Sequence, residues 1–115
     1  MATKLPKSYR RLRERNRAYL AAVETLGRVV KEAGPLDEKT AQLIQIAAAA
    51  AIRSEGSVHS HVRRALDAGA TEEEIRHALI LLTSTIGFPT VAAALSWAGD
   101  ITGKSRKSAG IRRSR

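Results

Sequence analysis

Five consecutive alanines, Ala47 to Ala51, lie between Ile46 and Ile52. Such a stretch favours helix strongly and presents no bulk on any side, so neighbouring helices can approach it closely. The run is far too short to span a bilayer. Aromatic residues make up only 3% of the chain, so the core must be assembled from Ala, Leu, Ile and Val. At 115 residues the chain has room for a single core. A helix of this kind is expected at the centre of an all-α domain and buried nearly all round. Burial of further surface in an oligomer would help so aromatic-poor a core.

Helical spacing recurs along the chain, and no strand pattern is present. Tyr9, Leu12, Asn16, Tyr19, Leu20, Val23, Leu26, Val30 and Ala33 describe one amphipathic helix, opened by Pro6 and ended by Gly34-Pro35. Asp37 suits the N-cap of a second helix reaching about Arg53. Glu55-Gly56-Ser57 reads as a break or loose first turn before a third helix, from about Ser57 to Ala68, with Gly69 as its C′ residue. Thr71 and Glu74 form a capping box for a fourth helix. That helix carries the apolar stripe Ile75, Ala78, Leu79, Leu82 and Ile86. Gly87-Phe88-Pro89 breaks the chain before a last helix, about Thr90 to Ile101, anchored by Trp97 and ended by Gly103. The expectation is a bundle of about five helices. It divides into a basic N-terminal helix (residues 1–35), a domain (residues 36–103) and a basic disordered tail (residues 104–115).

The net charge of +9 is unevenly placed. Lys4, Lys7, Arg10, Arg11, Arg13, Arg15 and Arg17 crowd one end, and Lys104, Arg106, Lys107, Arg112, Arg113 and Arg115 the other. Residues 18–103 carry seven basic and ten acidic side chains, a balance of −3. The ends therefore suit non-specific, salt-sensitive attraction to polyanions. The tail has no aromatic residue to stack on bases, which argues against specific nucleic-acid recognition. There is no cysteine and no apolar secretory segment after Met1, so a cytoplasmic setting without a membrane span is expected.

Ser54, Ser57 and His61 are spaced i, i+3 and i+7, which on a helix puts them on one face. Downstream come Ala65-Leu66-Asp67-Ala68-Gly69-Ala70-Thr71, the start Glu73-Glu74-Ile75, and Gly87-Phe88-Pro89. In these residues and their order the chain resembles the carboxymuconolactone decarboxylase and AhpD-like alkylhydroperoxidase family, over roughly residues 36–100. The redox branch of that family carries Cys-x-x-Cys-x-x-x-His. Aligned on His61, Ser54 and Ser57 stand at the two cysteine positions, Gln42 at the redox glutamate and Gly56 at the histidine before the second cysteine. The decarboxylase branch lacks the cysteines and resembles this chain in Glu55 and in the Gly-x-Pro turn. The resemblance implies an AhpD-like helical bundle, assembly as a homo-trimer or homo-hexamer, and acid/base chemistry on a small molecule. A serine hydroxyl does not attack peroxide or disulfide sulfur at neutral pH, so peroxidase or disulfide reductase activity by the cysteine route is excluded.

The candidate site follows from both readings. His61 suits a general acid or base, or equally a histidine hydrogen-bonded between helices. Glu55 is a second catalytic candidate. Ser54, Ser57, His59 and Arg53 are candidates for binding a carboxylate-bearing ligand, with Arg63 as a second cation. The serines serve as well to fill space and bond to backbone. Residues near Phe88 or Trp97 would supply an apolar wall. Glu55 and His59 are four apart and pair on one helix face. That face lies roughly 120–160° from His61, so one helix cannot unite all three. His59-x-His61 directs its rings apart and chelates poorly, so no metal site is expected from it, nor any cofactor. His77 falls opposite the apolar stripe and is expected to be exposed. The alternative to an enzyme is a non-catalytic oligomeric module whose basic ends attract polyanions.

Overall fold

The computed structural model describes residues 6–108, with side chains over 6–103. Those residues are helical and contain no strand. The elements are α1 (Lys7–Arg15), α2 (Arg17–Lys31), α3 (Glu38–Ala51), α4 (Glu55–Asp67), α5 (Glu72–Ile80), α6 (Thr83–Ile86) and α7 (Phe88–Ser108). The all-α bundle is as expected, with seven helical elements among the described residues where about five were expected. The chain forms two compact units, one from Lys4 to Asp37 and one carrying α3 to α7.

In the first unit the single expected helix is broken at Asn16, which leaves helical geometry at φ −132° and ψ 58°. Asparagine competes poorly for helix interiors and readily ends and starts helices. Its N–H still bonds to the Leu12 carbonyl, and its own carbonyl accepts from Leu20 N–H, so Asn16 closes α1 and opens α2. The fold-back is held by Glu24, whose Oε2 accepts from Tyr9 Oη at 2.8 Å and from Arg13 Nη2 at 2.7 Å. The Arg13 guanidinium also lies 5.3 Å from the Tyr9 ring centroid.

In the second unit α3 packs on α4, and α7 packs on α4, α5 and α3. Ile46 and Ala50 of α3, Val58 and Val62 of α4, Ile75 and Leu79 of α5 and Ala94 of α7 are wholly buried. Trp97 packs against this core from its edge. The small side chains do what their size allows: Ala49 and Ala50 take positions that a larger residue would overfill. The alanine helix is nonetheless not buried all round, because Ala48 and Ala51 are exposed and Ile44 is 51% exposed. The other helices of this unit cover only one side of it.

The boundaries differ from expectation in physically simple ways. Helix α4 begins at Glu55, because Ser54 takes the N-cap and its Oγ accepts from Ser57 N–H at 3.3 Å. The capping box of α5 is present in both halves, Glu74 N–H to Thr71 Oγ1 at 3.0 Å and Thr71 N–H to Glu74 Oε1 at 2.9 Å. The fourth stripe is interrupted at Leu81, beyond which α6 carries Ile86. Gly87 makes the sharp turn at φ +92°, but Phe88 and Pro89 open α7 and are not part of the break. Gly69 follows α4 at φ +96°, as a C′ glycine does. Gly103 does not stop the last helix, which continues through Ser108. One glycine costs an established helix only about 1 kcal/mol, while extension needs no new nucleus. Residues 109–115 of the expected disordered tail lie outside the described residues.

Candidate functional site

Helix α3 places Gln42 on its buried face, with no exposed surface. A buried amide must find partners for both ends. Its Nε2 donates to Glu38 Oε2 at 3.0 Å, one turn earlier on the same helix. Its Oε1 faces His61 Nδ1 of α4 at 2.8 Å. These contacts determine each other. Only the NH₂ group can donate to a carboxylate, so the oxygen must be the atom that meets His61, and Nδ1 must carry the proton it donates. The tautomer that results puts the basic lone pair of His61 on Nε2. A carboxylate, an amide and an imidazole thus stand in series across the α3–α4 contact. His61 is partly buried, as is Ser57 one turn before it on α4.

The remaining candidates fall elsewhere. Ser54 lies outside α4 as its cap, so the i, i+3, i+7 face is reduced to Ser57 and His61. Arg53 is exposed and takes a left-handed conformation, φ +59°, in the turn between α3 and α4. Arg63 is partly buried, and burial, with a smaller push from Arg64, lowers its guanidinium from the ordinary value. Two residues from His61, it projects to the other side of α4 and remains a cation. Phe88 is 66% exposed.

Glu55 and His59 do share a face, at 3.9 Å between Glu55 Oε2 and His59 Nε2. A nearer partner comes from α7: Asp100 Oδ2 is 3.1 Å from His59 Nε2. No spacing in the sequence links positions 59 and 100; only the packing of α7 on α4 does. The sequence reading likewise named Gln42 only as a residue replaced, and missed it as the group that orients His61. A buried polar residue on an otherwise apolar helix face was the available signal. His77 is exposed, as expected, and lines an open groove with Glu73, Glu74, Arg76 and Ile80.

Comparison with known proteins places this arrangement in context. The sequence profile of the Carboxymuconolactone decarboxylase family matches residues 17–100, most of the chain. Comparison with curated protein sequences returned no significant match. Among solved structures, the chain is similar to an apo carboxymuconolactone decarboxylase family protein from Legionella pneumophila. The two are 24% identical, with a TM-score of 0.70, over 84% of this chain and 86% of that one. It is also similar to a Thermotoga maritima protein at 24% identity and a TM-score of 0.71, over 90% of each chain. At these identities the structural likeness speaks to the fold alone.

Proposed function

From a chain that belongs to the carboxymuconolactone decarboxylase family and has no cysteine, we propose a small-molecule enzyme of the decarboxylase type in which His61 moves the proton. The observation that carries this reading is the series Glu38–Gln42–His61. It orients the imidazole with Nδ1 on Gln42, which supports a reading in which Nε2 gives or takes the proton. Loss of CO₂ from a carboxylated unsaturated lactone leaves electron density on carbon that must be protonated, and a His61 imidazolium supplies that proton at Nε2. Ser57 shares the His61 face, and Arg53 at the neighbouring turn is the cation available to a substrate carboxylate. Glu55 and His59 stand with Asp100, and this reading gives them no part in the step. Thiol peroxidase chemistry is excluded by the serines at positions 54 and 57. Among the described residues no helix is long and apolar enough to cross a membrane; a cytoplasmic setting belongs to the same reading.

The test is CO₂ release from a carboxylated unsaturated lactone by the wild type and by His61→Gln, with circular dichroism confirming equal helicity. Turnover that falls about a hundredfold or more in the variant supports the reading. Equal rates in both proteins, or no turnover and no binding by the wild type, reject it.

A second reading, a non-catalytic oligomeric module, draws on α2. Tyr19, Val23, Leu26 and Val30 follow one helical face and are 62%, 61%, 52% and 45% exposed in the order Tyr19, Leu26, Val30 and Val23. That face suits a second copy of the chain, as in a homo-trimer or homo-hexamer. The basic ends would then attract polyanions. Heparin binding that collapses between low and moderate salt, and is lost when residues 104–115 are removed, supports it. Binding indifferent to both rejects it.

A further inference from the structure

We propose that Glu55, His59 and Asp100 form a site for a first-row divalent metal cation, with Zn²⁺ as the ion to test. The three donor atoms lie within 4.8 Å of one another. Their point of convergence is His59 Nε2, 3.1 Å from Asp100 Oδ2 and 3.9 Å from Glu55 Oε2. Zinc bonds to nitrogen and oxygen of about 2.0–2.2 Å in a tetrahedron place neighbouring donors about 3.4 Å apart. The His59–Asp100 spacing is already near that value. Glu55, whose side chain is 58% exposed, closes the remainder by rotating about its own bonds.

Two features separate this cluster from an ordinary ion pair. An imidazole is satisfied by one carboxylate, yet two converge here on the same nitrogen. Among the described residues neither Glu55 nor Asp100 has a lysine or arginine within 4.0 Å. Among the described side chains, the histidine is the one cationic partner recorded for these two carboxylates. A dication would balance both of them.

The ligand set and its support point to the class of ion. A nitrogen donor among three ligands favours zinc and its first-row neighbours over calcium or magnesium, which prefer oxygen. Glu55 and His59 are an i,i+4 pair on α4, and Asp100 comes from α7 between the buried Ala98 and Ile101. Val58, beside His59, is also fully buried. The backbones that carry the ligands are therefore held by core packing, and a metal here would staple α4 to α7. The site is distinct from the His61 series, and its fate is independent of the proposed activity.

The experiment is calorimetric titration of the full-length protein with ZnCl₂ in a non-chelating buffer, paired with thermal unfolding. The expected result is one Zn²⁺ per chain and a raised midpoint that EDTA reverses. Asp100→Asn and His59→Gln should each weaken binding about tenfold or more while helicity is unchanged. Should His59→Gln fail to fold, the exposed Asp100→Asn and Glu55→Gln carry the test. No heat and no midpoint shift at millimolar ZnCl₂ would overturn the proposal. So would binding that survives all three variants, binding abolished only by His77→Ala in the groove of α5, or an equal response to CaCl₂.

Discussion

Gln42 and His61 meet at 2.8 Å between α3 and α4, and the amide is held in its turn by Glu38. An amide differs from a carboxylate in one respect that matters here: it orients the imidazole without adding a charge beside it. The charge is set back by one residue, on Glu38. His61 is therefore oriented by a neutral neighbour, at a place where the resemblance to the redox branch of the family would put a glutamate.

Replacing Gln42 by Leu keeps the approximate volume and removes both hydrogen bonds. His61 Nδ1–H then faces an apolar side chain. The expected cost is about 1–3 kcal/mol of unfolding free energy, measured by urea denaturation. A midpoint equal to the wild type would show that the amide contributes nothing to holding these helices.

Ser54 and Ser57 are separable by mutation. Ser54→Ala removes the N-cap of α4 and should lower stability by about 1 kcal/mol while leaving ligand binding intact. Ser57→Ala keeps the cap, because the donor to Ser54 Oγ is the backbone N–H of residue 57. Its expected effect is on small-carboxylate binding and not on the denaturation midpoint. The reverse pattern would return the ligand-binding role to Ser54.

Glu74 has its acidity set mainly by the Thr71 backbone N–H and next by Lys39, and these hold its carboxyl below the ordinary carboxylate value. The folded value is depressed, so the stabilisation is present above the ordinary glutamate value and is lost as pH falls through the lower, folded one. Thermal midpoints measured from neutral pH down should show this loss in the wild type. In Glu74→Gln, which keeps an acceptor for Thr71 N–H but loses the charge opposite Lys39, the acid limb should be shallower. Identical pH profiles would remove Glu74 from the account of acid stability.

The exposed face of α2 makes a prediction about assembly. Leu26→Asp with Val30→Asp places two charges on it, on side chains 61% and 52% exposed. Sedimentation velocity should show an oligomer for the wild type and a monomer for the double variant, each with full helicity. A monomeric wild type, or an oligomer indifferent to the change, would put the interface elsewhere.

Ala50 tests the packing argument. It has no exposed surface, and Ala50→Leu should cost about 1–3 kcal/mol through overpacking, whereas Ala48→Leu on the exposed side should change stability by less than about 0.5 kcal/mol. Chemical denaturation of both distinguishes the two sides of the alanine helix.

Much of the fold was legible along the chain, because helix periodicity, caps and glycine C′ positions are local. The Thr71–Glu74 box, the glycine after α4 and the apolar stripe of α5 depend on residues three or four apart, and such signals survive without tertiary context. The break at Asn16 and the passage of α7 through Gly103 were not legible. Each pits a weak propensity against packing or against the cost of a new nucleus, and propensities of a fraction of a kcal/mol do not decide such contests.

The same division holds for function. By itself the sequence determined that no cysteine chemistry is available and that the fold is helical, and its resemblance to the family singled out His61. The tertiary structure alone decided what His61 and His59 touch. Gln42 lies nineteen residues from His61 and Asp100 forty-one from His59, separations at which no local periodicity operates. Those partners are selected by how α3 and α7 pack on α4, and that packing is set by the small buried side chains of the core, not by the polar residues it brings together.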